Sequence, residues 1–438
     1  MFRCAQDQLV KWKSSPRRKP LIVRGARQVG KTWLVEHFAA AEFESLAKFD
    51  LEKRRDLHVH FGDNLDPKVI LRRLELDVGK RIIAGRTLLF LDEIQACPRA
   101  VMALRYFHEQ MPELHVIAAG SLLEFALGEI SVPVGRVQYL YLYPLTFREY
   151  LLAAGNEVAA EHAARHPSEV DADIQRRLLS ELRTYFFVGG LPESVKAYLD
   201  TKSMIEAFKA QREIIASYRD DFAKYRPRVD RACLDSVLLN AARYASGQIK
   251  YTRLDDSRSG PTNRRAFDLL CKAQLIHKNV SCDPSGLPLG AGANEKRFKA
   301  ALLDIGLLQS LCQVPADMEL RQDDLLAMYR GKLAEQFVAQ ELVAGHSPNL
   351  YYWTREARGS SAEVDYLVVR DGRIVPVEVK SGAGGSLRSL RLMLATYAGC
   401  PEGLVLYSGA YARLPERRLT FLPLYYAGSI GDPRPDVV

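Results

Sequence analysis

The stretch that most constrains the fold is GARQVGKT, residues 25–32, which matches the pattern G-x-x-x-x-G-K-[ST]. Its glycines let the backbone curl so that amide N–H groups point at phosphate oxygens, and the positive end of a following helix adds to this attraction. Residues 20–23 before the loop predict a strand, and residues 33–40 after it predict a helix. The pattern in this context predicts a phosphate-binding loop.

We expect nucleotide contacts along the loop and at the first helical residues. Lys31 is expected to reach the β- and γ-phosphates of ATP, and the hydroxyl of Thr32 is expected to ligate Mg²⁺. The expected nucleotide-binding residues are Gly25, Ala26, Arg27, Gln28, Val29, Gly30, Lys31, Thr32 and Trp33.

A second apolar run ends in two acids. Residues 87–91, TLLFL, predict a buried strand of a parallel sheet that is covered on both faces, and Asp92 and Glu93 follow at its carboxyl end. We expect Asp92 to hold the magnesium ion and Glu93 to orient or activate the attacking water.

Two more residues are candidates for this site. Ser121 ends the strand-like run LHVIAAGS, where it could contact the γ-phosphate or the water, or simply cap the next helix. Arg136 follows a glycine in a predicted loop, where it could act on the ATP of a neighbouring subunit or be an ordinary surface arginine. The sequence favours neither alternative for either residue.

The segments GARQVGKT, LLFLDEIQ, AAGSLLEF and GRVQYLYLYPLTFREYL resemble the AAA-type P-loop ATPases of a widespread prokaryotic family that carries a C-terminal domain of unknown function. The segments FFVGGLPESV and KAALLDIGLL are similar to the same family. The resemblance spans nearly the whole chain. It implies ATP binding and ATP hydrolysis in a homo-oligomer, of which a hexamer is one form, but it supplies no substrate.

The middle of the chain has two predicted parts. Residues 151–228 are typical of a helical lid and connector, broken at the GGLP segment. Residues 229–285 follow the order of a winged helix-turn-helix, whose third helix carries Arg264 and Arg265 near its start. Such a module contacts either DNA or protein. The predicted buried stripe of the third helix is Ala266, Leu269, Leu270 and Ala273.

The C-terminal part contains acids on three predicted elements. Glu335 lies on the apolar side of a helix, Asp365 lies on a strand, and Glu378 and Lys380 share one face of the next strand after a turn at residues 371–372. This arrangement resembles the PD-(D/E)xK nuclease core, with Val364 at the place of the nominal proline.

The predicted cluster suits a second magnesium ion. Like charges at close range raise one another's pKa values, and Mg²⁺ held by Glu335, Asp365 and Glu378 would balance them and polarise a phosphodiester. Lys380 would place the water or stabilise the charge that develops in the transition state. The alternatives are a structural hairpin with a surface Glu–Lys pair and a nuclease fold that only binds. Arg388 and Arg391 on the following helix could bind phosphates or face solvent.

Composition is compatible with this interpretation. Lys and Arg exceed Asp and Glu by 61 − 53 = 8, and the pI of about 9.0 suits an anionic partner such as DNA. The scattered cysteines form no C-x-x-C pair, which argues against a zinc site or a disulfide framework. No run has the length of a signal peptide or a membrane span, so we expect a cytoplasmic protein without a membrane partner.

The sequence therefore predicts an α/β protein that binds and hydrolyses ATP and acts on DNA. The expected parts are a parallel-sheet AAA+ ATPase core (1–150), a helical lid (151–228), a winged helix (229–285), a nuclease-like domain (296–427) and a flexible tail (428–438). The nuclease-like domain would cleave or grip DNA, branched DNA included. The alternatives are a nucleotide-switched regulator with an inactive nuclease fold and an ATPase that remodels proteins.

Overall fold

The computed structural model describes residues 1–62, 64–121, 135–222, 229–315, 327–357, 360–380 and 386–431. Two compact units divide the chain between residues 143 and 144, slightly before the predicted boundary at residue 150. No helix within the described ranges combines the length and the apolarity that crossing a membrane requires.

The N-terminal unit alternates strands and helices. Its elements are α1 (Ala5–Ser14), β1 (Leu21–Arg24), α2 (Lys31–Glu42), β2 (Ser45–Asp50), a 3₁₀ helix (Arg55–Phe61), α3 (Pro67–Val78), β3 (Thr87–Asp92), a 3₁₀ helix (Ile94–Ala96), α4 (Pro98–Gln110), β4 (His115–Gly120) and β5 (Gln138–Tyr141).

The strands of this unit form one parallel sheet in the order β2-β3-β4-β1-β5. All residues of β3 and β4 are buried, which confirms the prediction of a strand covered on both faces. Because the strands are parallel and β4 lies between β1 and β3, the carboxyl ends of these three strands lie side by side at one edge of the sheet. This edge carries the phosphate-binding loop.

The C-terminal unit begins with helices and ends with a sheet. Its elements are α5 (Phe147–Ala153), α6 (Glu157–Ala164), α7 (Ala172–Val188), α8 (Pro192–Thr201), α9 (Met204–Asp221), α10 (Arg231–Arg243), a 3₁₀ helix (Tyr251–Arg253), α11 (Gly260–Lys272), β6 (Ile276–Cys282), a 3₁₀ helix (Leu289–Gly292), β7 (Ala293–Leu302), α12 (Ile305–Leu311), α13 (Ala327–Gly345), β8 (Leu350–Ala357), β9 (Ser360–Arg370), β10 (Arg373–Val379), α14 (Arg388–Thr396), β11 (Gly403–Tyr407), β12 (Ala412–Leu414), a 3₁₀ helix (Pro415–Arg417), β13 (Leu419–Pro423) and a 3₁₀ helix (Leu424–Ser429).

The strands of this unit form one eight-stranded sheet in the order β12-β13-β11-β10-β9-β8-β6-β7. The predicted hairpin is confirmed, since β9 and β10 pair antiparallel across the turn at residues 371–372. The hairpin of β6 and β7 joins the same sheet through a parallel pairing of β6 with β8. The predicted boundary between residues 285 and 296 therefore falls inside a continuous sheet.

The segment expected to form a winged helix has the element order α10, a 3₁₀ turn, α11, β6 and β7, with an extra bridge between Ile249 and Phe298. The predicted stripe on α11 is buried, as its 3.6-residue spacing indicates. Arg264 and Arg265, by contrast, are exposed. Ile430, which the sequence assigns to a tail, is buried, while residues 432–438 of that tail lie outside the described residues.

A buried carboxylate explains the GGLP and DIGLL segments. Asp304 caps α12 by accepting a hydrogen bond from the Leu307 N–H (3.1 Å), and its other oxygen accepts one from the Gly190 N–H (2.6 Å). A Cβ at Gly189 would lie 2.3 Å from the Asp304 carboxylate, and one at Gly190 would lie 2.1 Å from a carbonyl oxygen. Both glycines are therefore required by close approach, and the two segments form one structural contact.

A second buried acid lies on α13. Glu341 is 4% exposed, and its Oε1 accepts a hydrogen bond from the Phe147 N–H at 2.8 Å. Burial, assisted by the charge of Glu149, raises the pKa of Glu341 to about 8. The folded chain thus holds a proton here that the unfolded chain releases near pH 4.5. The contribution of the Glu341 side chain to the stability of the fold is therefore fully present below pH 4.5, where both states carry the proton. It is lost as the pH rises to about 8.

We predict that Glu341→Gln removes this pH dependence while keeping an acceptor for the Phe147 N–H. The variant should exceed the wild type in stability by about 1–3 kcal/mol at pH 8.5, and the difference should shrink toward pH 5. Urea unfolding of both proteins across this range measures the difference. An exposed control, Glu213→Gln on α9, should show no such trend. A difference between Glu341→Gln and the wild type that does not change with pH would contradict the prediction.

Candidate active site and acidic cluster

The backbone of the phosphate-binding loop depends on its glycines. A Cβ at Gly25 would lie 2.3 Å from the carbonyl oxygen of Leu142, so no larger residue fits there. Gly30 has a φ of 94°, in the left-handed region that favours glycine, and α2 begins directly after it. The helix starts at Lys31 rather than at Trp33 as predicted, because the glycine supplies the turn.

The ammonium of Lys31 lies inside the loop. It donates hydrogen bonds to the carbonyl oxygens of Gly25 (3.0 Å) and Ala26 (2.8 Å), and the side chain is almost fully buried. Burial lowers the pKa of Lys31 to about 8, although the charges of Glu93 and Asp92 oppose the shift. An anionic group beside this ammonium would raise the pKa of Lys31 again.

Thr32 and Asp92 meet although they are 60 residues apart in the chain. The Thr32 hydroxyl donates a hydrogen bond of 2.9 Å to Asp92 Oδ2, which lies at the end of β3. Lys48 on β2 places its ammonium 3.4 Å from the same oxygen and 2.8 Å from Glu36. The buried aspartate is therefore balanced by a lysine from the neighbouring strand.

Glu93 follows Asp92 with a φ of 49°, which directs the chain away from the sheet. Its carboxylate accepts a hydrogen bond from the Gln95 side chain, and burial raises its pKa. A raised pKa makes a carboxylate a better proton acceptor, as a residue that activates water requires.

Ser121 and Arg136 have different surroundings. Ser121 directly follows β4, the strand between β1 and β3, so it stands at the same sheet edge as the loop and Asp92. Arg136 is exposed, and its Nε donates a hydrogen bond of 2.9 Å to Glu109. Trp33 is 39% exposed and stacks on His37.

In the C-terminal unit, the predicted acids gather around a lysine that the sequence analysis missed. Lys299 on β7 is 3% exposed, and its ammonium lies 3.6 Å from Glu335 and 3.7 Å from Asp365. It also forms a hydrogen-bonded ion pair with Glu363 on β9. Burial lowers the pKa of Lys299, but the charges of the three carboxylates raise it by a larger amount. The pKa of Lys299 therefore lies above its usual value.

The acids of this cluster are held by further contacts. Asp365 accepts a hydrogen bond of 2.8 Å from the Val379 N–H, and Glu378 accepts one of 2.6 Å from Lys380. Burial and, to a lesser extent, the charge of Asp365 raise the pKa of Glu335 to about 8 and that of Glu378 to about 7, although the charge of Lys299 opposes both shifts. The structure thus brings together all four residues predicted from the PD-(D/E)xK resemblance.

A third feature is a surface pocket of about 470 Å³ on the C-terminal unit. Arg391 on α14 lines it together with Arg417 and Arg418. The Arg418 guanidinium donates hydrogen bonds to the backbone carbonyls of Cys400 and Leu394. In the described part of the chain none of the three arginines forms an ion pair, so their charges are available to an anion.

Family models match three parts of the chain. An AAA domain matches residues 17–151, which include the loop, Asp92 and Glu93. The N-terminal unit is an AAA-type P-loop ATPase domain. Two domains of unknown function, DUF8612 and DUF4143, match residues 179–318 and 330–426. No curated protein sequence matches the chain.

Solved structures that match the chain include the Walker-type ATPase PABY2304 of Pyrococcus abyssi, at 15% identity and a TM-score of 0.45, over 71% of this chain and 96% of that one. The Orc1 protein of Aeropyrum pernix in complex with DNA matches at 13% identity and a TM-score of 0.28, over 73% and 95%. RuvB of Thermotoga maritima, a Holliday junction branch migration motor, matches at 16% and 0.28, over 61% and 85%.

The residues of the AAA-type ATPase domain fit Mg²⁺-ATP. The loop has no room for a Cβ at Gly25, its lysine ammonium rests on backbone carbonyls, and the hydroxyl and carboxylate of Thr32 and Asp92 are oxygen ligands of the kind Mg²⁺ prefers. The acidic cluster of the C-terminal unit does not fit a divalent cation in the same way, because the Lys299 ammonium lies among its oxygens. Within the described ranges, no three His, Cys, Asp or Glu side chains are arranged to hold a metal ion.

Sequence reasoning missed Lys48, Lys299 and Glu363. Lys299 could have been found from the sequence, since it interrupts an apolar run between Phe298 and Ala300. A lysine in such a run requires a partner of opposite charge. Lys48 gave no comparable signal, because its strand alternates buried and partly buried residues.

We predict that Gly25→Ala weakens ATP binding at least about tenfold, a free-energy difference of about 1.4 kcal/mol, because the added Cβ displaces the loop. Gly79→Ala is the matched control, since Gly79 also has a positive φ but a Cβ there meets no atom within 4 Å. The control should lose about 1 kcal/mol of stability and retain ATP affinity. Calorimetric titration with Mg²⁺-ATP measures both affinities, and equal affinities would contradict the prediction.

Proposed function

We propose that four residues of the ATPase domain carry Mg²⁺-ATP turnover. Lys31 holds the β- and γ-phosphates, Thr32 and Asp92 ligate the magnesium ion, and Glu93 accepts the proton of the attacking water. The bound metal supplies charge neutralisation at the phosphates. The observation that carries this proposal is the 2.9 Å contact between Thr32 and Asp92, which joins the loop to the acidic end of β3.

Ser121 and Arg136 have secondary roles in this proposal. Ser121, at the edge between the loop and Asp92, contacts the γ-phosphate or the water. The protein acts as a homo-oligomer, in which an arginine such as Arg136 reaches the ATP of the neighbouring subunit. Support for Arg136 is limited to its exposure, and it would first have to leave Glu109.

We further propose that the ATPase acts on DNA, which the C-terminal unit grips without cutting. The element order α13, β8, β9, β10, α14, β11 supports a nuclease-like fold, as do the neighbouring acids Glu335, Asp365 and Glu378 with Lys380. Lys299 favours gripping over cutting, since its ammonium lies where a catalytic metal would have to enter.

The observation that carries the DNA proposal is the pocket of Arg391, Arg417 and Arg418, whose guanidinium groups are free of ion pairs among the described residues. Guanidinium groups bind phosphate oxygens in bidentate geometry, and a pocket with three of them suits a DNA backbone. Arg264 and Arg265 on the winged-helix-like segment add exposed positive charge, although Arg264 lies 3.7 Å from Asp268. The net charge of +8 supports the same partner.

For the ATPase, we predict that Lys31→Ala lowers phosphate release at least about 100-fold and that Glu93→Gln lowers it similarly while bound ATP accumulates. The variants differ because Lys31→Ala loses phosphate binding, whereas Glu93→Gln loses only the proton acceptor. Phosphate release and filter retention of labelled ATP measure both quantities. Undiminished release from either variant would remove that residue from the proposal.

For DNA, we predict that the double variant Arg391→Ala/Arg417→Ala binds duplex more weakly and that its plot of log K against log salt flattens by about 1.8, or about 0.9 per lost phosphate contact. The control is Arg231→Ala/Arg297→Ala, whose arginines are paired with Asp220 and Glu356. Fluorescence anisotropy between 50 and 200 mM salt, a range of about fourfold, gives both slopes. Equal losses in both double variants would remove the pocket from the proposal.

Incubation with labelled duplex, flap and four-way DNA in Mg²⁺ separates gripping from the alternatives. Intact DNA with salt-sensitive binding supports the proposal. Cleavage by the wild type that Asp365→Ala abolishes would establish a nuclease instead. An absence of DNA affinity, with ATP turnover intact, would favour the remodelling of a protein partner.

A further inference from the structure

The acidic cluster contains its own cation. Lys299 approaches three carboxylates from two elements, Glu335 on α13 and Glu363 and Asp365 on β9. An ammonium has three N–H donors, and here three carboxylates surround it. The ammonium also lies 5.2 Å from the ring centroid of the buried Tyr352, which adds a cation–π contact.

Several of the oxygens that a metal would need already have partners, although Glu378 Oε2 is buried without a hydrogen-bond partner among the described residues. Asp365 uses Oδ2 for the Val379 N–H and lies beside Lys299 with Oδ1. Glu378 uses Oε1 for Lys380. Mg²⁺ requires near-octahedral coordination at about 2.0–2.1 Å and keeps several waters. Two lysines against the four carboxylates of this cluster leave a formal charge of 2 − 4 = −2, and a divalent ion would meet the buried ammonium at close range.

The Lys299 side chain also has no room to move away from the acids. It is 3% exposed on the edge strand β7, between Phe298 and Ala300, which are buried as well. The cavity beside it, lined also by Asn279 and Tyr366, has a volume of about 10 Å³, enough for about one water. A rotation of the side chain away from the acids would bury its charge without a partner, which is strongly unfavourable.

We propose that Lys299 takes the place of the divalent cation in the C-terminal unit, so that its acidic cluster is complete without metal. Removal of the lysine charge should then create a metal site from the same carboxylates. This inference rests on the geometry of the cluster and not on the proposed partner DNA. It would also account for the proposed gripping of DNA without cleavage, which the DNA experiments above test separately.

The test uses the full chain without nucleotide, with Asp92→Asn in every variant so that the ATPase domain loses the carboxylate proposed to hold its metal ion. Mn²⁺ uptake is measured by the loss of the free-ion EPR signal, and thermal unfolding is followed with and without Mn²⁺. Lys299→Met removes the charge and keeps the apolar stem. We expect it to bind Mn²⁺ at least about tenfold more tightly than the Lys299 protein and to gain about 5 °C in Tm from the ion.

Two controls complete the test. Lys299→Arg retains the cation and should not respond to Mn²⁺, and Lys299→Met/Asp365→Asn should lose the gained site. Saturable Mn²⁺ uptake by the Lys299 protein that Asp365→Asn abolishes would overturn the proposal, as would a folded Lys299→Met that gains no site. If Lys299→Met folds only when Mn²⁺ is present, the ion has replaced the ammonium and the proposal holds. If Lys299→Met folds neither with nor without Mn²⁺, Mn²⁺ uptake is compared between the Lys299 protein and Asp365→Asn. Uptake that Asp365→Asn abolishes overturns the proposal, and the absence of such uptake supports it.

Discussion

The structure depends on lysine ammonium groups that balance buried carboxylates. In the ATPase domain, Lys48 from β2 lies 3.4 Å from the buried Asp92 that also accepts the Thr32 hydroxyl. In the C-terminal unit, Lys299 from β7 lies among Glu335, Glu363 and Asp365. A carboxylate that loses water needs such compensation. The two sites differ in how much positive charge the lysine supplies to the carboxylates. Lys48 lies to one side of Asp92, where we expect magnesium, whereas Lys299 lies at the centre of its cluster.

This difference separates the phosphate-binding loop from the acidic cluster. The Lys31 ammonium in the loop donates hydrogen bonds to backbone carbonyls, while burial lowers its pKa and the charges of Glu93 and Asp92 raise it. The negative charge of a triphosphate would stabilise this ammonium further. In the acidic cluster, the ammonium groups of Lys299 and Lys380 offset part of the carboxylate charge. The arginine pocket is the surface of this unit that we propose for a polyanion.

Local patterns predicted much of the fold. The strand, loop and helix around GARQVGKT, the buried strand before Asp92 and the hairpin of β9 and β10 follow from short-range periodicity and turn chemistry. Glu335, Asp365, Glu378 and Lys380 lie in one cluster with Lys299 and Glu363, whereas their role stays a prediction. The sequence could not identify the partners of Lys48 or Lys299, because each lysine reaches its partners through strand pairing between distant segments. The parallel pairing of β6 with β8, which carries Lys299 toward β9, leaves no local signal.

Two adjacent residues of β7 contact two different groups of side chains. Phe298 packs against Tyr251 and Phe267 in the winged-helix-like segment, with ring centroids 4.7 and 5.1 Å apart, while Lys299 lies among the acids. Successive side chains of a strand project from opposite faces of its sheet. A twist of β7 that loosens the aromatic contacts would therefore also withdraw the ammonium from its carboxylates. A force on α11 would in this way change the charge balance of the acidic cluster on the opposite face of the sheet.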